Sequence, residues 1–456
     1  MLVSVNVHIN RLMAKQFYKR PDSRKSLPAL AGVTFSFCRY SLVLTLIFIG
    51  CKSDPSSSPV EEPLKDGEFQ PFNPIRSDLS DDTTEPSTTS ELATLGYLSG
   101  YRTATEVGGV RISKPDQMQP GYTLFTSGHG PEALLVDETG TVVHSWRKEF
   151  AELSTSYTRS KREFTPERTT YWRHATLLPE GELLAIFEGV MLLKLDRNSN
   201  VVWTNTNHAH HDLQVLEDGR IVVLARKVIG TKRTPILEDF IVTLNSNGEE
   251  QGRISILKAI VNSPFKEEIV GKRKIMGDIT HTNSIQVVPP GLPLPEGVEV
   301  GDYLILMRET DALAIISKDT NLVVWAYKGP FRTQHYARLS ARPPLLTLFD
   351  NSGISSRSRM LTYSFPNMNL LRSYPDDLGP DPFFTKFCGL AQLLNNDNVL
   401  LVESEAGRIL EVTAEDEIVW EYISPFRAGK ENEMIALLAH AQRVSPVDWD
   451  PEAEPL

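Results

Sequence analysis

The sequence predicts an all-β fold, a six-bladed β-propeller. Three observations carry that expectation: a unit that recurs along the chain, short strands between turn dipeptides, and almost no amphipathic helical periodicity before Glu431. The unit runs from a polar-to-apolar strand through a Glu/Asp-Gly or Asn-Asp turn to a β-branched strand, then a strand ending in Val-Trp or its equivalent. It appears at Tyr122–Trp146, at His174–Trp203, and at His211–Arg226 with a closing strand in residues 239–253. It returns at His281–Tyr327, His335–Phe365 and Gly389–Tyr422. Repeats of about 40–50 residues with four strands each read as propeller blades. Trp146, Trp203, Trp325 and Trp420 then sit where one blade packs on the next. The apolar spacing in Glu431–Gln442 predicts a short C-terminal helix.

Composition narrows the function classes. The chain has 456 residues, 41% of them hydrophobic, and a formal charge of −11. Seven Lys/Arg against one Asp in residues 1–50 make the leader basic, so the remainder stands near −17. A body that acidic excludes nucleic acid as a partner, because phosphate neutralisation needs a basic face. The three cysteines, Cys38, Cys51 and Cys388, form neither a disulfide framework nor a zinc spacing.

The chain divides into an export segment (1–50), an acidic Pro/Ser/Thr linker (51–92) and the propeller (93–456). Ser41–Ile49 is an apolar run behind Arg39 that ends at Gly50-Cys51, in the manner of a signal peptide. It is far shorter than the roughly 20 residues that span a bilayer. Its Phe48-Ile49-Gly50-Cys51 ending resembles a bacterial lipobox, which implies lipidation of Cys51 and a periplasmic or cell-surface protein held to the membrane by lipid alone. The forty residues before Ser41 fit no signal peptide, so the true initiator is expected downstream. Residues 51–92 lack the apolar content to order themselves and read as a tether.

Within the repeat, His174, His211, His281 and His335 fall at nearly one phase, at or just before the first strand of four successive blades. The innermost strand of a blade opens onto the central channel, so these positions form a ring. Three histidines also suit Zn or Cu. Arg308 in the same ring would repel a cation, and no HExxH spacing occurs, which favours an anion site. No metal and no cofactor is expected; Asp212 or Glu309 would reverse that if either pointed inward. His210 is read as the neighbour of His211 with which it could exchange. His129, His144, His208 and His440 are read as surface or packing residues.

The run His210-His211-Asp212, the run His281-Thr282-Asn283-Ser284, Arg308, Gln334-His335 and the ending of the last blade resemble the bacterial arylsulfotransferase family. The likeness extends from about Leu95 to the C-terminus. It implies transfer of a sulfuryl group from an aryl sulfate ester to a phenol without a nucleotide donor. It also implies that His335 is the nucleophile that becomes sulfated, and that His281, Asn283, Arg308 and His211 line the sulfuryl pocket. His210 and His174 are added as substrate-binding candidates. The extra N-terminal β domain and the disulfide of well-known members are not visible, so the chain is similar to a shorter branch. Neutral imidazole is a competent nucleophile near pH 7, and a guanidinium with N–H donors would hold the sulfuryl oxygens. The alternatives are a non-catalytic propeller that binds a ligand or protein, and a histidine-based sulfate-ester hydrolase.

Overall fold

A computed structural model describes residues 102–104, 108–153, 169–231, 234–353, 357–375, 383–429 and 431–449. The export segment, Cys51 and the linker lie outside these residues. Among the described residues six sheets of four to five strands, antiparallel but for the short strand Gly277–Asp278, follow one another along the chain as the blades of a propeller. Blades two to five are continuous in sequence and start on the inner strands His174–Leu177, Ala209–Val215, Thr282–Val287 and His335–Ala341. The sixth blade starts on Leu390–Leu393.

The ring is fastened by both ends of the body. The unit Tyr122–Trp146 supplies only the three outer strands of the first blade, and its inner strand is Leu438–Val444 from the end of the chain. Tyr122 pairs with Val444, and the ladder runs to Ser127 opposite Leu438. At the other end, Gly109–Ser113 adds a fifth, outermost strand to the sixth blade along Ile418–Ile423. The helix expected in Glu431–Gln442 is therefore replaced by strands at Met434–Ile435 and Leu438–Val444. Six of the seven residues in the latter are buried. A strand covered on both faces has no polar face to alternate with, so its apolar pattern mimics a helix. The edge of Tyr122–Ser127 needed a partner, and that requirement decided the outcome.

Between each pair of neighbouring blades lies an apolar cluster, six in all among the described residues. The strand-ending tryptophans sit at these seams. Trp146 donates its indole N–H to Gly181 O at 3.0 Å, Trp203 to Ser246 O at 3.1 Å, and Trp420 to Glu138 O at 2.9 Å, each in the next blade. Trp325 lies edge-on to Phe365 of the fifth blade. Trp146, Trp203 and Trp420 thus place apolar ring area at a seam while the one polar atom finds a partner.

Inner strands are tied by glutamines. Gln214 accepts from Val287 N at 2.7 Å, Gln286 from Leu339 N at 2.6 Å, and Gln392 from Arg443 N at 2.8 Å. Two helices, Ile256–Val261 and Lys266–Ile269, are inserted between blades three and four, and their apolar faces join the cluster there. No helix among the described residues is long and apolar enough to cross a membrane.

Candidate active site

The mouths of the inner strands are irregular, and that irregularity aims side chains. Ladder register shifts at Val223/Ala225, Thr282/Ser284 and His335/Arg338 in blades three, four and five. His211, His281, Tyr336 and Cys388 have positive φ values of 52°, 43°, 47° and 58°. Non-glycine residues rarely adopt this conformation, and it costs about 1–3 kcal/mol apiece. A bulge turns a strand so that a side chain leaves its ordinary face.

His335 is 5% exposed. Its Nδ1 faces two oxygens, Asn351 Oδ1 at 2.7 Å and Thr333 O at 3.1 Å. Asn351 donates its amide hydrogens to Thr385 O and Cys388 O, which fixes Oδ1 toward the imidazole. Facing only acceptors, Nδ1 carries the proton, and the lone pair is left on Nε2. Nε2 makes no hydrogen bond to the described residues and is not sealed from solvent. Burial, then the charges of Arg308 and Arg173, hold this imidazole well below the usual histidine range. The ring is neutral and nucleophilic at pH 7.

Around it the third and fourth blades contribute a cluster. The rings of His211 and His281 meet at 5.1 Å between centroids. Arg226 places one Nη2 at 2.9 Å from His210 Nδ1 and 3.2 Å from His211 Nδ1, and its Nη1 is 3.5 Å from Glu188. Ligand atoms of Glu188, His210 and His211 lie within 4.8 Å of one another, a spacing that suits a cation, and the guanidinium of Arg226 sits beside them. Nδ1 of His211 also lies 2.9 Å from His210 Nδ1 and 3.3 Å from Glu188 Oε1, so the two imidazoles, Arg226 and Glu188 form one polar cluster. His210 is fully buried and turns Nε2 toward Asp239 at 3.4 Å.

His281 Nδ1 contacts Asp278 Oδ2 at 2.6 Å, while its main-chain N–H donates to Asp278 Oδ1 at 3.1 Å. Arg308 N–H donates to His281 O, and its guanidinium pairs with Glu309. Asn283 donates to Gln334 O at 2.9 Å, tying its blade to the residue before His335. One amide hydrogen of Asn283 remains, and its Oδ1 is buried without a partner.

His174 joins a different group. Its Nε2 meets Thr176 Oγ1 at 2.8 Å and its ring lies 3.9 Å from that of His440. Asp212, 3.7 Å from His174 Nδ1, accepts from Arg338 at 2.8 and 3.0 Å and from Ile285 N. Arg338 in turn lies over the Tyr336 ring at 3.9 Å. This strut joins blades three and five and sits farther along the inner strands than His211 and His335. Asp212 and Glu309 are thus each engaged by an arginine.

The structure brings His211, His281, His335 and Arg308 to one region and sets His174 and His210 behind it. Sequence reasoning missed Arg173, Arg226, Glu188, Asp278 and Asn351, which lie outside the repeat phase that defined the ring. His440, expected as a surface or packing residue, packs its ring on that of His174. His440 lies on the inner strand of the first blade and is 5% exposed. The signal was present: His440-Ala441-Gln442 repeats the phase of His174-Ala175-Thr176. His129, His144 and His208 do take packing roles, for instance His129 stacked on Phe426 at 3.7 Å.

Five imidazoles are held neutral. Burial, followed by Arg338 and Arg173, lowers His174 to about 3. Burial first, then neighbouring charge, puts His210, His211, His335 and His440 well below the ordinary value. Their folded values lie below the unfolded one, about 6.5, so the unfolded chain takes up protons first as pH falls. The stability they contribute is complete above about pH 6.5 and declines below it, by about 1.4 kcal/mol per pH unit for each group. Burial raises Asp239, Asp350 and Glu405, and these oppose the decline. Urea midpoints measured from pH 8 to pH 5 are expected to fall steeply below pH 6.5; a flat profile would show that these rings are not buried neutral.

The model of the arylsulfotransferase (ASST) family matches residues 174–425, more than half of the chain. No curated protein matches the sequence. Among solved structures, a Bacteroides caccae protein of unknown function aligns at TM-score 0.46 and 12% identity, covering 71% of this chain and 98% of its own. A streptogramin B lyase aligns at 0.40 and 12%, covering 73% and 91%. A virginiamycin B lyase from Staphylococcus aureus aligns at 0.35 and 12%, covering 56% and 70%.

Proposed function

This chain belongs to the arylsulfotransferase family, and from that premise we propose that it moves a sulfuryl group from an aryl sulfate ester to a phenol through a sulfated His335. The observation that supports this most is the state of His335: Nδ1 locked by Asn351, Nε2 bearing a free lone pair, and two arginines close enough to depress its basicity. Nε2 attacks sulfur, the aryl oxygen leaves, and the sulfated imidazole then passes the group to a second aryl oxygen. The sulfuryl oxygens are held by Arg308, by the imidazole of His211 and by the remaining amide hydrogen of Asn283. Donors set before reaction toward developing charge are worth on the order of 10²–10³ in rate each. His210 and His174 act behind this set.

The membrane attachment belongs to the same reading. Lipid on Cys51 would hold the enzyme in the periplasm or at the cell surface, supported by the apolar run that ends at Gly50-Cys51.

Incubating the protein with p-nitrophenyl sulfate, with and without phenol, tests the reaction. Nitrophenol release that requires phenol, with phenyl sulfate as co-product, is the expected result. Release without phenol identifies a hydrolase. No release in either arm leaves the histidines to a binding propeller and removes the proposal.

A further inference from the structure

We propose that Asp278 is a positioning residue that makes His281 the acid–base group for the aryl oxygen, an inference that rests on the sulfuryl-transfer reading above. Three features of the fold point to it. Asp278 holds His281 twice, at its main-chain N–H and at Nδ1. His281 carries the smallest positive φ of the set at 43°, next to a register shift, so its ring departs from the strand's ordinary face. Its Nε2 has no hydrogen bond to the described residues and is not sealed off, as for His335. An imidazole with one nitrogen on a carboxylate and the other open can carry a proton reversibly at the open nitrogen.

The surroundings suit a proton that comes and goes. Asp239, His210, His211 and Arg226 face the pair from the third blade, Arg308 from its own blade and His335 from the fifth. Burial would raise the Asp278 carboxyl, yet the charge and hydrogen bond of His281 outweigh it and hold Asp278 below its ordinary value. Asp278 is thus an anion, and its role is to accept from Nδ1–H.

The steps balance. In the first half, the His335 Nε2–S bond forms and the S–O(aryl) bond breaks, while protonated His281 gives its Nε2 proton to the leaving oxygen. A monoanionic ester, neutral His335 and cationic His281 become a neutral phenol, a zwitterionic sulfated imidazolium and neutral His281. The Nδ1–H of His335 stays on Asn351 throughout. In the second half the acceptor phenol returns its proton to His281 Nε2 as its oxygen attacks sulfur.

Asp278→Asn isolates the role. Asparagine can keep the acceptor for the His281 main chain but places an N–H opposite Nδ1, which moves the ring's proton to Nε2 and denies it a base. A good leaving group such as nitrophenolate needs little protonation; phenolate needs much more. The ratio of kcat/KM for p-nitrophenyl sulfate over phenyl sulfate is expected to rise about 10-fold or more in Asp278→Asn, out of the 10²–10⁴ that general acid–base catalysis supplies. Asp278→Ser, measured alongside with melting temperature, serves if the asparagine variant does not fold. An active wild type whose variants lose activity toward both donors in equal proportion overturns this proposal and leaves sulfuryl transfer standing. A wild type inert toward both donors overturns both.

Discussion

Replacing His335 with asparagine is expected to abolish transfer, lowering kcat with p-nitrophenyl sulfate and phenol by on the order of 10⁴ or more, the scale on which removal of a nucleophile acts. An amide nitrogen has no lone pair to offer sulfur, so no covalent intermediate forms and the reaction cannot be divided into two displacements. Stability should change far less. His335 is neutral and anchored only through Nδ1, to Asn351 and Thr333. Asparagine is polar and smaller, so the cost is one hydrogen bond and a small void, about 1–3 kcal/mol. Two measurements check this: nitrophenol release, and the mass of a sulfated peptide containing residue 335 after acid-free digestion of donor-treated wild type. A variant that keeps a tenth of the wild-type rate while folding normally would show that sulfur is not attacked by His335.

Ending the chain before Leu438 is expected to cost the body its folded state. The strand Leu438–Val444 pairs along the full length of Tyr122–Ser127 and contributes Leu438 and Ala441 to the seam between the sixth and first blades. Arg443, 6% exposed, donates to Glu411 at 2.8 Å, and Glu411 is fully buried. Removing one member of such a pair leaves a bare buried charge, at about 3–5 kcal/mol. Arg173 also loses Ala439 O, at 2.6 Å. These losses together approach the roughly 5–15 kcal/mol that holds an ordinary domain folded. The truncated chain should show no cooperative thermal transition, and a synthetic peptide covering residues 434–449 should restore one in trans. Cooperative melting of the truncated chain near the wild-type temperature would show that the ring closes without its last strand.

The blades were legible because their strands repeat, and the histidine ring because its members share one phase within that repeat. His211, His281 and His335 were found that way, and Arg308 and Asn283 by their place in a family-like pattern. What lay off phase was not legible. Arg226 comes from the middle of a second strand, Asp278 from a two-residue strand before the fourth blade, and Asn351 from just past the strand that pairs with that of His335. Their importance arises from register and loop path, which composition does not encode. The place of His440 on an inner strand was not legible for a different reason: a strand buried on both faces has the apolar spacing of a helix. Asp212 shows the converse, since its residue type suggested a cation ligand and only the cross-blade contact with Arg338 revealed its partner.

The late position of Leu438–Val444 has a consequence for biosynthesis. Translation delivers blades two to six complete before the wall of the first blade exists, so a nascent or prematurely ended chain has an open gutter where the finished protein has a channel. His440 and the carbonyl of Ala439 that holds Arg173 arrive only after blades two to six have been made. Domains form as units while chains are made from the N-terminus. Here the site is enclosed only once the strand after the sixth blade has been made, and a chain that stops short of it carries the histidines without part of the enclosure that keeps them neutral.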